Sequence, residues 1–264
     1  METFIDLFKL FFLNCKIKIS RNMQYRFDFI NGLFVSVLYS SIGVITLFVI
    51  YIKTNGYPGW TLNQIILFQG VLLLWNGLKD LIFGDVRNNI DTSIRKGEFD
   101  RILLKPFPPI GYILVSGPNY TSLSSMAAGI IVMIIGILRL NITVGVQDVL
   151  LFFVFMISGL FLYMAFLVLY CIVTVMIIYM GRISEIMDKL LRFSEYPLQI
   201  FSKGFGLVFT YVIPFSIFIY LPTQAFLKRL DITDLISIPV SLLLFFATIK
   251  LWNFYLKKYV SAGG

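Results

Sequence analysis

The sequence predicts an all-α integral membrane protein. It has six transmembrane helices, an N-terminal interfacial amphipathic helix, and a re-entrant or outer hairpin after the fifth span. Three observations carry this. Mean hydropathy is +0.87, with 58% hydrophobic and 14% charged residues, whereas soluble chains carry about 25% charge. The apolar stretches reach the roughly 20 residues that a helix needs to cross a bilayer. The basic residues gather on one side of the predicted crossings. Lys9, Lys16, Lys18, Arg21 and Arg26 precede the first span; Arg87, Arg95, Lys96, Arg101 and Lys105 fall between the second and third. Arg182, Lys189, Arg192 and Lys203 surround the loop between the fourth and fifth, and Lys250, Lys257 and Lys258 end the chain. Only Lys53, Arg139, Lys228 and Arg229 remain for the opposite face. Lys and Arg in short loops stay cytoplasmic, so both termini are expected in the cytoplasm.

Residues 3–20 come first. Phe4, Ile5, Phe8, Phe11, Phe12, Cys15 and Ile19 share one side at helical spacing, with Glu2, Asp6, Lys9 and Lys16 on the other. Such a helix lies in the interface; crossing would bury Lys9, Lys16 and Lys18 in hydrocarbon. Span one covers 28–52, and Tyr51, Tyr57 and Trp60 at its far end suit a membrane interface. Gly56, Pro58 and Gly59 make a short outer turn before span two, 62–84. Lys79, Asp80 and Asp85 lie near its inner end, where charge can snorkel or pair.

The segment 85–105 is the longest polar stretch inside. Val86, Ile90 and Ile94 repeat every four residues and form an apolar stripe on a short helix. Arg95 and Lys96 suit its last turn and Gly97 its C-terminal cap. The stripe is expected to be exposed and to need a cover: a partner protein, the membrane surface or a neighbouring loop. Glu98, Phe99, Asp100 and Arg101 follow, and Lys105-Pro106 and Pro108-Pro109 close the segment.

Span three covers 110–138, with a kink expected at Ser116-Gly117-Pro118 and small residues around Ala127, Ala128 and Gly129 for close packing. Span four, 149–180, carries no charge and exceeds the length required. Span five covers 195–219. Glu195-Tyr196-Pro197, Gly204, Gly206, Pro214 and Pro222 interrupt the region, and broken helices are tolerated where they face protein or water. An ordinary kinked span followed by a loop is the competing description. Glu195, Tyr196 and Pro197 read either as a hinge or gate or as a helix start, with Pro in the first turn and an acid near the positive dipole end. Span six covers 235–257. Cys15 and Cys171 fall in different compartments and are expected to be thiols. There is no internal repeat.

The sequence excludes several chemistries. It contains no His, the commonest metal ligand and acid–base group. It has no G-x-x-x-x-G-K-[ST] loop, so no ordinary ATP cradle, and no cofactor is expected on this chain. The net charge of +8 is accounted for by span ends, without nucleic acid. Carboxylates sit mostly at span ends, which disfavours ion coupling through a midplane acid. A self-sufficient ion-coupled carrier or channel is the alternative function; a lipid-modifying membrane enzyme is a weaker third.

Taken together, the chain resembles the permease subunits of bacterial type-2 ATP-binding cassette exporters. The resemblance rests on the N-terminal helix, six spans, and Ile94–Pro109 (IRKGEFDRILLKPFPP) with its G-x-h-D-x-x-L-x-x-P pattern at Gly97, Phe99, Asp100, Leu103 and Pro106. It rests also on Ser194–Pro197 (SEYP), the stretch from Pro214 to Pro222, and the Lys257–Gly264 end. The resemblance implies the bacterial inner membrane, a second permease (identical or homologous), and two ATPase subunits that carry ATP and Mg. It implies that Val86, Ile90, Ile94 and Arg95 to Arg101 form a coupling helix for the ATPase. It implies that Glu195, Tyr196, Pro197, Pro214 and Pro222 belong to a gate.

Overall fold

The structure, a computed structural model, describes residues 2–23, 26–53, 56–176 and 183–259. Arg182, the last residues of the predicted fourth span (177–180) and the terminal 260–264 lie outside the described residues. Every regular element among the described residues is helical. Four stretches are long and apolar enough to cross a membrane: Leu62–Arg95, Tyr120–Leu140, Val146–Met176 and Ile232–Leu256.

Helix α1, Glu2–Met23, is docked along its length. Leu7 packs on Gly111, and the Asn14 Nδ2 donates to the Val115 carbonyl at 3.0 Å. The Lys18 ammonium reaches Asp85 at 2.7 Å and the carbonyls of Ser116 and Pro118 at 3.3 and 2.9 Å. Ile5, Phe8, Phe12 and Ile19 remain exposed on the outward side. Helix α2, Arg26–Lys53, has 28 residues and exposes Phe34, Leu38, Ile42, Ile45 and Phe48.

The turn into α3 (Leu62–Phe83) is packed into the fold, with Tyr57 and Trp60 buried within the chain. The Trp60 ring packs edge-on against Phe68, and its Nε1 donates to Gln199 at 2.9 Å. Gly56 and Gly59 adopt positive φ (91° and 75°), which folds the turn back. Thr61 and Gln64 form a reciprocal capping box that starts α3 cleanly.

Helices α4 (Val86–Arg95), α5 (Phe99–Leu103) and α6 (Pro109–Val115) follow. The predicted third span, 110–138, is broken where a kink was expected: the chain leaves helix at Ser116–Asn119, and the stretch long and apolar enough to cross runs from Tyr120 through α7, Leu123–Leu140. The break is held: Asp85 N–H donates to the Gly117 carbonyl at 2.9 Å and Asn119 N–H to the Leu81 carbonyl at 3.1 Å.

The tightest packing in the fold joins α3 and α7 as an antiparallel pair. Gly70 faces Met133, and Gly77, seven residues on, faces Met126, seven residues back. Gly129 and Gly136 of α7 face Leu74 and Leu67 by the same register. A Cβ on Gly77 would lie 2.5 Å from the Met126 nitrogen, and one on Gly136 2.7 Å from the Leu67 Cα. The obstruction is backbone, which cannot rotate away. In a bilayer, where apolar burial does not drive helices together, this close approach is what holds them.

Helix α8 (Val146–Met176) is the central strut. It buries Phe155, Leu162, Leu167, Val168 and Cys171. It packs against α11 (Tyr220–Leu227) and α12 (Ser237–Leu256). Cys15 and Cys171 are both free thiols.

The predicted fifth span, 195–219, is not a continuous helix. After α9 (Ile183–Arg192) come single 3-10 turns at Phe193–Glu195 and Leu198–Ile200, α10 (Lys203–Leu207), a π turn at Val208–Val212 and a 3-10 turn at Phe215–Ile217. Proline sets the breaks, because the residue before it avoids helix. Tyr196 is extended ahead of Pro197, and Ile213 leaves helical geometry ahead of Pro214. Pro222 sits in the first turn of α11, where its missing N–H costs nothing.

Candidate functional site

The polar segment after α3 was expected to be an exposed helix whose apolar stripe a partner protein, the membrane surface or a neighbouring loop covers. In the structure the cover is the chain's own helices. Val86, Ile90 and Ile94 are buried at 0%, 1% and 9% exposure inside this chain, where α4 lies against α8 and α6. The Tyr170 hydroxyl of α8 donates to the Asp91 carboxylate at 2.7 Å. Arg87 forms an ion pair with Asp188 of α9 at 2.7 Å. Asp85 holds Lys18 of α1. The fourfold spacing announced an apolar face, and what covers that face was decided by the return of α8 beside it. Helix α4 is therefore tied to α1, α8 and α9 at once.

The end of α4 follows the sequence closely. Gly97 has φ 67°; its N–H donates to the Ile94 carbonyl at 3.1 Å and the Glu98 N–H to Ser93 at 2.8 Å. This is the Schellman arrangement, in which a left-handed glycine ends a helix. Arg95, Lys96 and Gly97 project outward, with Arg95 back-bonded to Asp91. Glu98 pairs with Arg101 at 3.5 Å on the surface.

Phe99 is turned inward at 1% exposure, between the rings of Trp252 and Tyr259. It anchors the turn to the end of α12 and is not part of the outer surface. Asp100 is half-buried beside it. Leu104, at 85% exposure, is the one large apolar side chain left outward between 85 and 109. Sequence reasoning missed it. The signal was the adjacent pair Leu103-Leu104, since neighbours on one short helix cannot both face the core.

The residues of the expected gate lie on separate elements that pack together: the Phe193–Glu195 turn meets Phe215–Ile217, which in turn meets α11. Glu195 and Pro197 flank the extended Tyr196, Pro214 follows the π turn, and Pro222 lies in α11. A row of rings also converges. Phe193, Phe201 and Phe205 all contact Phe209, which reaches Phe215 at 5.5 Å. Phe215 in turn touches Phe166 and Phe218.

Beside this row, toward the C-terminal end of α3, lies a cavity of about 160 Å³. Its aromatic wall is Trp75, Tyr163 and Phe218, with Trp75 and Phe218 stacked at 4.7 Å. Its polar wall holds Lys79, Arg87, Asp188, Arg192 and Glu195. Lys79 pairs with its neighbour Asp80 at 3.1 Å, as its position at the span end led one to expect.

Among the described residues the fold is helical throughout, with four stretches long and apolar enough to cross a membrane. The family model described as "ABC-2 family transporter protein" matches residues 37–263. The chain belongs to the ABC-2 transporter family, as a multi-pass membrane permease whose ATP-binding subunit is a partner chain. Comparison with curated proteins gives no match, and comparison with solved structures gives none either.

Proposed function

We propose that this chain is the membrane-spanning subunit of an exporter, forming the substrate pathway with a second permease and driven by two ATPase subunits docked on its cytoplasmic face. The chain sits in a bacterial inner membrane with both termini inside. The crossings are α2, α3, α7, α8, the broken segment from 195 through α11, and α12; α1 lies in the interface. ATP and Mg belong to the partner ATPase.

The observation that carries the reading is the construction of α4 and α5. Their apolar residues are spent on fixing the unit to three other helices of this chain. Their exposed side chains are Leu104 and the basic residues Arg95, Lys96, Arg101 and Lys105 of the same short segment. An apolar side chain among charged ones is the composition of a docking contact. A unit fixed to several spans moves with them, so a push at Leu104 reaches the transport path. Coupling needs such a lever with two positions that ATP and substrate bias differently. The gate role belongs to the break at Tyr196–Pro197, which adjoins the Arg87-bound end of α9.

The test is co-purification of the ATPase with chains carrying Leu104→Asp or the double change Arg95→Glu, Lys96→Glu. Each is expected to lower recovered ATPase at least tenfold while the chain stays inserted. Undiminished recovery with both variants would refute docking at this surface.

A further inference from the structure

We propose that the cavity between α3, α9 and the Phe193–Glu195 turn is a binding site for a zwitterionic phospho-amine, of the kind presented by a phosphoethanolamine headgroup.

Size decides first. A volume of about 160 Å³ is below the roughly 300–1,000 Å³ of sites that enclose drug-sized ligands, yet holds about five waters at roughly 30 Å³ each. It fits a headgroup and not a whole amphiphile.

Charge decides second. Lys79 and Arg87 are each paired, with Asp80 and Asp188. Arg192 and Glu195 also line the cavity, and neither has an ion-pair or hydrogen-bond partner among the described residues. The groups left to a ligand are thus one guanidinium and one carboxylate. A plain anion would meet the Glu195 carboxylate at close range, and a plain cation would meet Lys79, Arg87 and Arg192. Glu195 already feels the charges of Lys79 and Arg192, and a ligand bearing both signs can insert between guanidinium and carboxylate and answer each in turn. Phosphate suits the planar guanidinium fork. An ammonium suits the Glu195 carboxylate in a cavity that Trp75, Tyr163 and Phe218 also line.

Surroundings decide third. Leu190 and Phe193, the sequence neighbours of the lining residues Leu191, Arg192 and Ser194, are 42% and 41% exposed; Phe193 leads to Phe201 and Phe209, and beyond them Phe205 is 60% exposed. A headgroup in the cavity would lay its acyl chains along this apolar surface. The inference requires only this chain in a membrane and does not depend on where the ATPase docks.

The experiment measures lipid retained by the purified, delipidated full-length chain, by native mass spectrometry. Phosphatidylethanolamine is compared with phosphatidylglycerol, which has the phosphate without the amine. Expected is at least tenfold preference for phosphatidylethanolamine. Glu195→Gln, which keeps shape and removes the charge, should abolish the preference. Arg192→Gln, at an exposed position that tolerates change, should weaken retention of both lipids. Soluble phosphoethanolamine that displaces the lipid shows that the headgroup alone is the ligand; failure to displace, with the preference intact, shows that the chains contribute. Equal retention of the two lipids by the wild type would overturn the proposal, as would an unchanged preference in Glu195→Gln.

Discussion

Ile90 separates two accounts of α4. Its side chain is 1% exposed and lies between Val86 and Ile94 against the chain's own spans. Truncating a fully buried Ile to Ala costs about 2–5 kcal/mol, the lost transfer energy plus the cavity left behind. The nearby polar ties, Tyr170 to Asp91 and Arg87 to Asp188, hold the helix in place and limit how far it can collapse onto the gap. The cost should therefore fall in the upper half of that range. By contrast, Arg95→Glu with Lys96→Glu alters two outward side chains, and such surface changes fall within about ±0.5 kcal/mol. The assay is a paired one, with thermal unfolding of the detergent-purified chain beside ATPase recovery. Ile90→Ala should melt clearly earlier, and the charge-reversed double variant should melt as wild type while losing the ATPase. The reasoning fails if Ile90→Ala melts like wild type yet loses the ATPase, for then the stripe faces the partner after all.

Other outcomes follow from the packing. Gly77→Leu should separate α3 from α7 and destabilise by about 1–3 kcal/mol in a melting assay, because the obstructing atoms belong to the Met126 backbone. Gly204→Ala is the control: nothing lies within 4 Å of its added Cβ, so it should be neutral or stabilising by up to about 1 kcal/mol. Lys18→Met should loosen α1 by about 1–3 kcal/mol, seen as faster proteolysis near the N-terminus, since Asp85 loses its charged donor. Burial pushes the Cys15 thiol above its ordinary value, with Lys18 pulling the other way. Its thiolate fraction at pH 8 should therefore be low, and maleimide labelling should climb steeply as pH passes 9. Fully buried Cys171 should stay unlabelled until the chain unfolds.

Much of this protein was legible in one dimension. Hydropathy and the scarcity of charge set the membrane class, because no other solvent accepts such a composition. Proline and glycine marked where helices stop, and the breaks at Pro197 and Pro214 and the cap at Gly97 fall where backbone sterics require them. Those are local properties, written within a few residues. Periodicity, in turn, shows that α4 has an apolar face but carries no information about what lies opposite. That cover came from α8, some eighty residues away. The glycines at 70, 77, 129 and 136 are ordinary in isolation and become a single interlocking seam only when two spans are set antiparallel in register. The cavity is likewise a meeting of Trp75, Phe218 and Glu195, brought together by the folding back of the interrupted helical segment after α9. Sequence alone determined the solvent, the long apolar helices and the local stops at Gly97, Pro197 and Pro214. Tertiary structure decided which surfaces are already occupied, because occupancy depends on which distant segments return.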